Sequence, residues 1–470
     1  MVFDLHGKLF GTSGIRGLVN VRITPEFSAK LGLAAAAFYG EGSTLLVGRD
    51  HRPHAQVVEM SIISGLLAGG ANVLEAGIMP TPAILWAISK YDADGAIVCT
   101  GSHTPSEIVG ILFFKKDTAE LDWSDEAVFE DIFFEGKYRR VPWNEVGTFE
   151  YVDIEDVYVE SILELVGDVS LDGRTVVVDP GNGAASGILK EILEHVGLEV
   201  VAINDVPDPR FPRRDPFPRP SNLAKLGRLV RSVGAEFGVA TDGDGDRAIF
   251  AGDGGEVYWG DISGALFVMD AIKYRGIKRI VVTINTSSVV EITARNMGGT
   301  VCYCDVGPPA IVSKMKEVGA KLGLEESGKY IWSDAIFYGD AALASIRMLE
   351  FIEKEGRSMS EIVKELPIRY LTKDAVNCAE DIKDMVTHRV HQKLMKTELG
   401  DFTNIVWIRR GFKVFYEDYS WILFRPSGTE PKYRIHAEAD SMDKSRRLLD
   451  FGRRLVVEVI KELEVQGGKT

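Results

Sequence analysis

The sequence of 470 residues has few cysteines, and they do not form a regular pattern. The four cysteines, Cys99, Cys302, Cys304 and Cys378, are too few and too scattered for a disulfide framework, which favours a reduced, cytoplasmic protein. Cys302 and Cys304 have the spacing of a metal-binding pair. Because no second pair exists, we favour two small buried residues there.

The sequence also lacks a long apolar segment and an excess of basic residues. The best apolar run, residues 31–39, has about half the length needed to cross a membrane, and the first ten residues have no apolar signal core. With 54 basic against 69 acidic residues the formal net charge is −15, whereas a nucleic-acid-binding protein presents a basic face. We therefore expect neither a membrane nor a nucleic acid as partner.

Three segments, residues 44–77, 175–203 and 279–304, follow one pattern. Each begins with a short β-branched run, continues through a polar loop into a helical pattern that ends at glycine, and closes with a second apolar run. A crossover of this length joins parallel strands. The repeats therefore predict three similar α/β domains with mixed, mainly parallel sheets.

The C-terminal part has a different pattern. From about Tyr370 the strands are shorter, and one long helix is predicted from Met442 to about Leu463, as in a smaller α+β domain. A prior of about 150 residues per domain fits three or four domains. We predict the domain limits 1–150, 151–252, 253–367 and 368–470.

The sharpest local signal is a set of three aspartates, Asp242, Asp244 and Asp246, which follow an apolar strand and alternate with glycines. Carboxylates this close repel one another unless a cation lies among them, and hard oxygen ligands select magnesium or calcium. A solvated acidic turn is the plainer alternative. We favour a metal site, because the strand and the glycines make the carboxylates converge.

Ser102 follows a buried strand in the sequence GAIVCTGSHTPSE and stands next to His103. The G-x-S-x-G pattern of hydrolases is absent, and neighbours in sequence rarely form the base pair of a catalytic triad. Beside a metal site, this arrangement indicates a serine that accepts phosphate.

Three further loops carry groups suited to anions or sugars. In FRPSGTEPKYRI the candidates that could bracket a phosphate are Arg425, Ser427, Gly428, Thr429 and Arg434. The glycine-rich GTSGIRG holds Arg16 but is not a Walker loop. In GLEESGKY, Glu325 and Ser327 could bond sugar hydroxyls. An ordinary hairpin and solvated helix-start residues are the plainer readings of the first and third loops.

Taken together and in this order, the five loops resemble the α-D-phosphohexomutase family, which includes phosphoglucomutase/phosphomannomutase and phosphoglucosamine mutase. The resemblance spans nearly the whole chain and extends to the shorter matches GRDHR, MPTP, VDPGNGA and DPRFP. It implies three similar α/β domains and a smaller C-terminal α+β domain around a central cleft, in agreement with the repeats.

The resemblance also implies roles for the loop residues. Ser102 matches a phosphoserine that gives its phosphoryl group to a sugar phosphate and later regains one from a bisphosphorylated sugar, which also acts as activator. Ser102 and the three aspartates match ligands of Mg²⁺. The family's charged groups near the reacting oxygens match Arg16, His103, Arg247 and Lys329. Its sugar contacts match Glu325 and Ser327. Its binding site for the other phosphate matches Arg425, Ser427, Gly428, Thr429 and Arg434.

The sequence departs from the family pattern at sugar-contacting positions. Leu112 stands where the family has a lysine proposed for proton transfer, and Lys115 and Lys116 would need a shifted loop to replace it. Lys329 stands where the family has histidine, so it must be desolvated to act as a base near neutral pH. Further departures are Thr104 for asparagine and the pair Pro308 and Pro309 in place of a flexible specificity loop.

These features predict a phosphosugar mutase that moves a phosphoryl group between the 1- and 6-positions of a hexose phosphate of the glucose or mannose type. Glucosamine phosphate and pentose phosphates are alternatives with the same chemistry. A non-catalytic phosphosugar-binding relative is a second alternative, although such a protein has no use for a phosphoryl acceptor. A metal phosphatase would want a D-x-D-x-T loop, which is absent. The sequence does not indicate an oligomeric state.

Overall fold

Four sheets follow one another along the chain in the computed structural model, which describes residues 8–167, 171–396, 402–428 and 430–467. We number the four units built around these sheets domains I to IV. In the part of the chain that is described, no helix is long and apolar enough to cross a membrane.

Domain I contains a six-stranded sheet in the order β1-β5-β4-β2-β3-β6, in which β2, β3, β4 and β6 are parallel. At one edge, β5 is antiparallel to β4, and β1 is antiparallel to β5. Its elements are β1 (Ile15–Leu18), α1 (Pro25–Tyr39), β2 (Thr44–Arg49), α2 (Pro53–Ala68), β3 (Asn72–Ile78), α3 (Thr81–Lys90), β4 (Gly95–Thr100), β5 (Ile108–Lys115), α4 (Trp123–Glu135) and β6 (Phe149–Tyr151).

Domain II contains a five-stranded sheet in the order β11-β10-β9-β7-β8, with β8, β7 and β9 parallel. Its elements are α5 (Glu155–Leu163), β7 (Thr175–Asp179), α6 (Ile188–His195), β8 (Glu199–Ala202), α7 (Ala224–Val233), β9 (Phe237–Thr241), β10 (Ala248–Gly252) and β11 (Val257–Tyr258).

Domain III contains a four-stranded sheet in the order β13-β12-β14-β15, with β13, β12 and β14 parallel. Its elements are α8 (Gly260–Tyr274), β12 (Arg279–Thr283), α9 (Ser288–Asn296), β13 (Thr300–Cys304), α10 (Pro308–Val318), β14 (Leu322–Glu325), β15 (Lys329–Trp332), α11 (Ala341–Glu355) and α12 (Met359–Val363).

Domain IV is different, because all neighbouring strands of its five-stranded sheet, in the order β16-β20-β19-β18-β17, are antiparallel. Its elements are β16 (Tyr370–Asn377), α13 (Lys383–Leu394), β17 (Phe402–Ile408), β18 (Gly411–Tyr416), β19 (Trp421–Pro426), β20 (Lys432–Ala439) and α14 (Met442–Gly467). The predicted fold class, three mixed α/β domains and a smaller α+β domain, is confirmed.

The three sequence repeats form the same unit in domains I to III. In each, the first repeat strand (β2, β7 or β12) lies between two parallel neighbours and is called the central strand below. The neighbours are the second repeat strand on one side and β4, β9 or β14 on the other. Each repeat helix is followed by a glycine with positive φ, at Gly70, Gly197 or Gly298, which allows the chain to reverse into the next strand.

A shared hydrophobic core joins the first three domains, whereas domain IV has a core of its own and a small apolar contact with domain III. The largest cluster draws residues from the sheets and helices of domains I, II and III, for example Leu46, Val178 and Val282. A separate cluster in domain IV packs one face of its sheet against α13 and α14. The predicted domain limits stay predictions, since these cores show what packs together and not where a domain begins.

The sequence patterns missed two elements of domain IV and misread one. The run KVFYEDYSWILFR has the apolar pattern of a single long strand, but it forms β18 and β19 around a turn at residues 417–420. Strand β16 and helix α13 were not predicted. Strand β16 is an edge strand with charged residues and no apolar run, which explains why its pattern was weak.

Candidate active site

Three loops occupy equivalent positions in domains I to III, each joining the third parallel strand to the antiparallel strand beside it. We name them the serine loop (residues 101–107, between β4 and β5), the metal loop (residues 242–247, between β9 and β10) and the sugar loop (residues 326–328, between β14 and β15). A fourth, the phosphate loop, joins β19 to β20 in domain IV (residues 427–431). Residues of all four loops line one cleft of about 2320 Å³.

Ser102 lies at the base of this cleft with its hydroxyl directed at the metal loop. Its Oγ donates a hydrogen bond to Oδ2 of Asp242 at 2.9 Å, although 140 residues separate the two in sequence. Ser102 is 2% exposed and has a φ of 47°, a left-handed conformation that is uncommon for serine. Strain of this kind is typical of functional positions, where the surroundings hold a side chain in one direction.

The aspartate cluster, Asp242, Asp244 and Asp246, converges as the sequence predicted. One carboxylate oxygen of each lies within 4.8 Å of the others, and all three side chains are buried. Among the described residues no other group of three or more potential metal-ligating side chains is found. Thr81 Oγ1 donates to Oδ2 of Asp244 at 2.9 Å, which fixes that carboxylate from the start of α3.

The electrostatics of the cluster fit a bound cation. Burial and the charge of Asp246 raise the pKa of Asp242 well above its usual value, and the same two causes raise the pKa of Asp244. Burial opposes ionisation of Asp246 too, but Lys329 and Arg247 outweigh it and lower its pKa. Oδ1 of Asp244 and Oδ1 of Asp246 are buried without a hydrogen-bond partner in the described structure. Unsatisfied hard oxygens of this kind fit Mg²⁺ or Ca²⁺.

Two buried cations balance part of this negative charge. Lys329 Nζ donates to Oδ2 of Asp246 at 2.8 Å, and both side chains are at most 3% exposed. The Lys329 ammonium also lies 4.0 Å from the ring centre of Tyr338, a cation–π contact. Arg247 Nε lies 3.5 Å from Asp242 Oδ2 and 3.8 Å from Asp246 Oδ1. Lys329 thus enters the site from domain III and contacts the cluster directly.

His103 lies beside Ser102, with its Nδ1 3.3 Å from the serine Oγ. Burial, followed by the charges of Arg247 and Arg16, lowers the pKa of His103 well below its usual value. Its ring packs at 5.1 Å against that of Phe217, which also contacts the Arg247 guanidinium at 5.1 Å. Its surroundings therefore disfavour the charged imidazolium, and the ring is held next to the serine.

Arg16 approaches the serine loop from β1. Its Nη1 donates to the carbonyl oxygen of Gly101 at 3.3 Å, and its Nε donates to that of Ser13 at 3.2 Å. Arg16 also lines the cleft, so it presents a cation beside the serine. The predicted charged groups, Arg16, His103, Arg247 and Lys329, therefore do come together around Ser102.

The end of β14 and the sugar loop hold the two predicted polar groups at the cleft wall. Ser327 Oγ donates to Oε1 of Glu325 at 2.5 Å, and both side chains are less than 10% exposed. Gly328 accepts a hydrogen bond from the main-chain nitrogen of Ala248 at 2.9 Å, so the loop is fastened to domain II next to the metal loop. Glu325 is one of the charges that raise the pKa of Arg247, although burial opposes this.

The phosphate loop presents cations to the opposite part of the cleft. Arg425 and Arg434 are direct cross-strand partners in β19 and β20, and like charges in such a position repel unless an anion lies between them. Gly428 lines the cleft, whereas Ser427 is 3% exposed and receives a hydrogen bond from the nitrogen of Glu430 at 3.2 Å. The predicted residue Thr429 lies outside the described residues.

The structure also accounts for the departures from the family pattern. Leu112 is fully buried in β5. Lys115 is ion-paired with Asp122 and Asp125 and Lys116 with Asp92, and neither lysine lines the cleft, so neither takes the place of the missing lysine. Pro308 and Pro309 form the first turn of α10, where the missing N–H groups cost nothing.

Sequence reasoning missed several residues that shape the site. Lys383, fully buried, donates to the carbonyl oxygens of Ser427 and Glu430, both at 2.7 Å, and so fixes the phosphate loop. Phe217 and Trp259 form an aromatic wall of the cleft. These residues contact backbone groups or residues far away in sequence, so no local pattern indicates them. Thr81, which contacts Asp244, was also missed, although it lies in the motif MPTP.

Four family profiles match the chain in succession, covering most of it. They are phosphoglucomutase/phosphomannomutase alpha/beta/alpha domain I over residues 7–140, domain II over 156–255, domain III over 259–370 and the C-terminal domain over 375–454.

Curated relatives match over almost their whole length. A phosphoglucomutase/phosphomannomutase from Thermococcus kodakarensis is 37% identical over 97% of this chain and 100% of its own. A probable phosphoglucosamine mutase from Methanopyrus kandleri is 35% identical over 96% and 99%. A phosphopentomutase, also from Thermococcus kodakarensis, is 33% identical over 97% and 99%. These similar relatives are thus named for different sugars.

Solved structures share the fold. A phosphoglucomutase/phosphomannomutase family protein from Burkholderia thailandensis superposes with a TM-score of 0.84 at 24% identity, over 96% of this chain and 98% of that one. An N-acetylphosphoglucosamine mutase from Aspergillus fumigatus, solved with GlcNAc-6P and magnesium, has a TM-score of 0.61 at 13% identity, over 97% of both chains. At these identities the likeness concerns the fold alone.

Proposed function

The chain belongs to the phosphoglucomutase/phosphomannomutase family and is a phosphomutase, an isomerase that transfers phosphoryl groups. On this premise we propose that it uses Mg²⁺ and Ser102 to move a phosphoryl group between the 1- and 6-positions of a hexose phosphate of the glucose or mannose type. The observation that carries the proposal is the 2.9 Å hydrogen bond between Ser102 and a buried cluster of three carboxylates.

The proposed reaction has two transfers. In the first, the phosphoryl group of phosphorylated Ser102 moves to a free hydroxyl of the sugar monophosphate; the P–O bond to Ser102 breaks, and the hydroxyl proton leaves to a base. The resulting bisphosphorylated sugar turns over in the cleft. In the second, its other phosphoryl group moves to Ser102 Oγ and a hydroxyl is restored, so that serine phosphate and one isomerised monophosphate remain. A bisphosphorylated sugar from solution would prime the serine, which is why it acts as activator.

Catalysis of such transfers is mostly positioning and charge stabilisation. Arg16, His103 and Arg247 surround Ser102 and are suited to hold the oxygens of the transferring group. Lys329 is the one predicted cation that contacts the aspartate cluster from domain III. We assign Lys329 to charge stabilisation beside the reacting sugar hydroxyl, since its ammonium is paired with Asp246 and carries no lone pair that could receive a proton.

Ser102, Asp242, Asp244 and Asp246 are the residues that would hold Mg²⁺. When bound there, the ion neutralises charge on the phosphoryl group during transfer. The proposal is supported by the two buried carboxylate oxygens that lack a hydrogen-bond partner among the described residues. It also fits the preference of hard cations for carboxylate and hydroxyl oxygens.

The rest of the cleft suits the bisphosphorylated intermediate. Its volume of about 2320 Å³ exceeds the roughly 300–1,000 Å³ of ordinary ligand pockets, which leaves room for a bound sugar to turn over. We assign Glu325 and Ser327 to the sugar hydroxyls. We assign the phosphate that is not transferred to the phosphate loop and its flanking arginines, namely Arg425, Ser427, Gly428, Thr429 and Arg434.

The choice of sugar is open between three classes. Glucose or mannose phosphate is our first choice, because the relative with 37% identity is named for these sugars. Glucosamine phosphate and pentose phosphates are alternatives, since relatives with 35% and 33% identity are named for them. The departures at Thr104, Lys329 and the two prolines lie where the sugar would be contacted.

A coupled mutase assay tests the proposal. With Mg²⁺ and a trace of bisphosphorylated sugar, the 1-phosphates of glucose, mannose, glucosamine, ribose and deoxyribose are supplied in turn, and the product and released phosphate are measured. Ser102→Ala should abolish turnover. Ser106→Ala, in the same loop but bonded to the carbonyl of Pro209, should not.

Each outcome separates the candidates. Turnover of one hexose phosphate with no net phosphate release supports the proposal, while turnover of a glucosamine or pentose phosphate names the sugar differently and keeps the chemistry. Release of phosphate would indicate a phosphatase. No turnover of any sugar, with Mg²⁺ and sugar phosphates still bound, would favour a non-catalytic binding protein.

A further inference from the structure

The central strands of domains I to III end in equivalent anchoring residues. Asp50 follows β2, Asp179 ends β7 and Asn285 lies two residues after β12. Each bonds the loop region at the same end of its sheet. Asp50 accepts from the nitrogen of Gly101 at 2.9 Å, Asp179 from the nitrogen of Gly181 at 2.9 Å, and Asn285 Nδ2 donates to Glu326 at 2.7 Å. In domains I and II, a buried arginine accompanies the aspartate.

Arg52 accompanies Asp50 and grips the serine loop. Its Nη2 donates to the carbonyl oxygens of Ser102 and Thr104 at 3.0 and 2.7 Å, and its Nη1 to those of Pro105 and Ile108 at 3.1 and 2.5 Å. The guanidinium is fully buried, with Nε 3.4 Å from Oδ2 of Asp50. One side chain thus holds carbonyls on both sides of the loop.

This grip extends to the main chain of Ser102. A Cβ atom on Gly101 would lie 1.5 Å from Arg52 Nη1, and one on Gly243 would lie 2.4 Å from the carbonyl oxygen of Ser102. The serine carbonyl is therefore enclosed between Arg52 and the metal loop. With its carbonyl fixed there and φ at 47°, Ser102 has its hydroxyl directed at Asp242.

Arg214 accompanies Asp179 in domain II and holds the base of the metal loop. Its Nη2 donates to the carbonyl oxygen of Thr241 at 2.6 Å and to that of Asp179 at 2.9 Å, and its Nε donates to Oδ2 of Asp179 at 3.1 Å. Thr241 directly precedes Asp242. A Cβ atom on Gly181 would lie 2.4 Å from the Arg214 guanidinium carbon, as one on Gly101 would strike Arg52.

We propose that Arg52 and Arg214 are a matched pair of positioning residues for phosphoryl transfer, which hold Ser102 and the aspartate cluster in register from opposite sides. The proposal rests on the proposed function for its kinetic consequences, but the geometry of the two anchors does not. Neither arginine is assigned to the substrate or the metal. Each acts through the backbone of the loop that carries the reacting group.

Lysine cannot replace arginine in this role. A guanidinium has five N–H donors in a fixed plane, whereas an ammonium has three on a single atom and cannot reach carbonyls on both sides of a loop. Arg→Lys keeps the positive charge and most of the apolar stem. The substitution therefore removes the multiple grip and leaves the local charge nearly unchanged.

The experiment compares Arg52→Lys and Arg214→Lys with Arg347→Lys. Arg347 is a similarly buried arginine of α11 that pairs with Asp334 and lies over Trp332, at the end of β15 away from the sugar loop, so it controls for the loss of a buried guanidinium. Hydrogen exchange of the main-chain amides is measured in each variant, with the melting temperature as a check of folding. Mutase kcat and KM are measured with the sugar that the wild type turns over.

We expect amides of residues 101–108 to exchange about tenfold faster in Arg52→Lys, and those of residues 241–247 in Arg214→Lys, with no change at either loop in Arg347→Lys. We expect kcat to fall about 100-fold in Arg52→Lys, the cost of a displacement of about 1 Å, with KM within about twofold of the wild type. In Arg214→Lys the Mg²⁺ concentration for half-maximal activity should rise about tenfold.

Unchanged exchange at both loops, or equal losses of kcat in all three variants, would overturn the proposal. If the wild type turns over no sugar, the proposed function fails while hydrogen exchange still decides whether the anchors act. Should Arg52→Lys fail to fold, Thr104→Val replaces it. This variant removes the hydroxyl that Arg52 and the Gly101 carbonyl share, and the same faster exchange of the serine-loop amides is expected, in smaller measure.

Discussion

Replacing Lys329 with methionine tests the charge balance of the aspartate cluster. Methionine keeps most of the length of the side chain and removes its charge, so Asp246 loses the ammonium that lies 2.8 Å from its Oδ2. Of the two cations that balance the three carboxylates, only Arg247 then remains, at 3.8 Å from Asp246. The variant leaves a buried carboxylate cluster with about one positive charge fewer.

The structure sets the size of the effect. Both partners of the pair are at most 3% exposed, and removing one partner of a buried ion pair costs about 3–5 kcal/mol. A bound divalent cation supplies part of the missing charge, so we expect saturating Mg²⁺ to recover about 1.4 kcal/mol of this loss. By the same reasoning the more negative cluster should bind Mg²⁺ about tenfold more tightly, or about 1.4 kcal/mol.

Urea unfolding in EDTA and in saturating Mg²⁺ measures both quantities. The matched control is Lys115→Met, which removes a lysine paired with Asp125 at 2.6 Å where the side chains are 24–30% exposed, and such a pair is worth about 0–1 kcal/mol. Two results would refute the reasoning. One is a Lys329→Met protein as stable in EDTA as the wild type, and the other is an equal gain from Mg²⁺ in both proteins.

Two further predictions concern a metal-ligand partner and a buried lysine. Thr81→Val removes the hydroxyl that donates to Asp244, so the Mg²⁺ affinity should fall about 10–100-fold with kcat kept at saturating metal; an unchanged Mg²⁺ titration would contradict this. Burial lowers the pKa of Lys413 from 10.5 to about 8. Between pH 8 and pH 10.5 the folded state therefore binds fewer protons than the unfolded state, so the free energy of unfolding should rise by about 3 kcal/mol as the pH rises through this range. Lys413→Met should abolish this rise in urea unfolding, and parallel pH profiles of the two proteins would refute it.

The parts of the fold that sequence could predict are those with strong local patterns. The repeats gave the central strands and crossover helices of domains I to III because each unit places a β-branched run, a helix and a second run in order. Domain IV was harder, since the edge strand β16 carries charges and the tight turn at residues 417–420 interrupts a run that reads as continuous.

In the site, too, residues with a local sequence signal could be predicted and residues without one could not. Each loop has its own signal, so the aspartates, Ser102 and the arginines could be chosen from sequence. That Ser102 meets Asp242, and Lys329 meets Asp246, depends on contacts across 140 and 83 residues that no local pattern contains. Arg52, Arg214 and Lys383 were missed for another reason: they bond main-chain carbonyls, and any sequence supplies carbonyls.

The equivalent position of the serine, metal and sugar loops separates tasks that many enzymes combine on one segment. Each loop belongs to its own sheet, so, on the roles proposed above, a substitution at Ser327 would change the sugar contacts while Arg52 and Arg214 still hold the serine and metal loops. Substrate preference can therefore drift by small steps while the chemical step is inherited unchanged. Relatives with 33–37% identity that are named for hexose, glucosamine and pentose phosphates are what such a modular arrangement would produce.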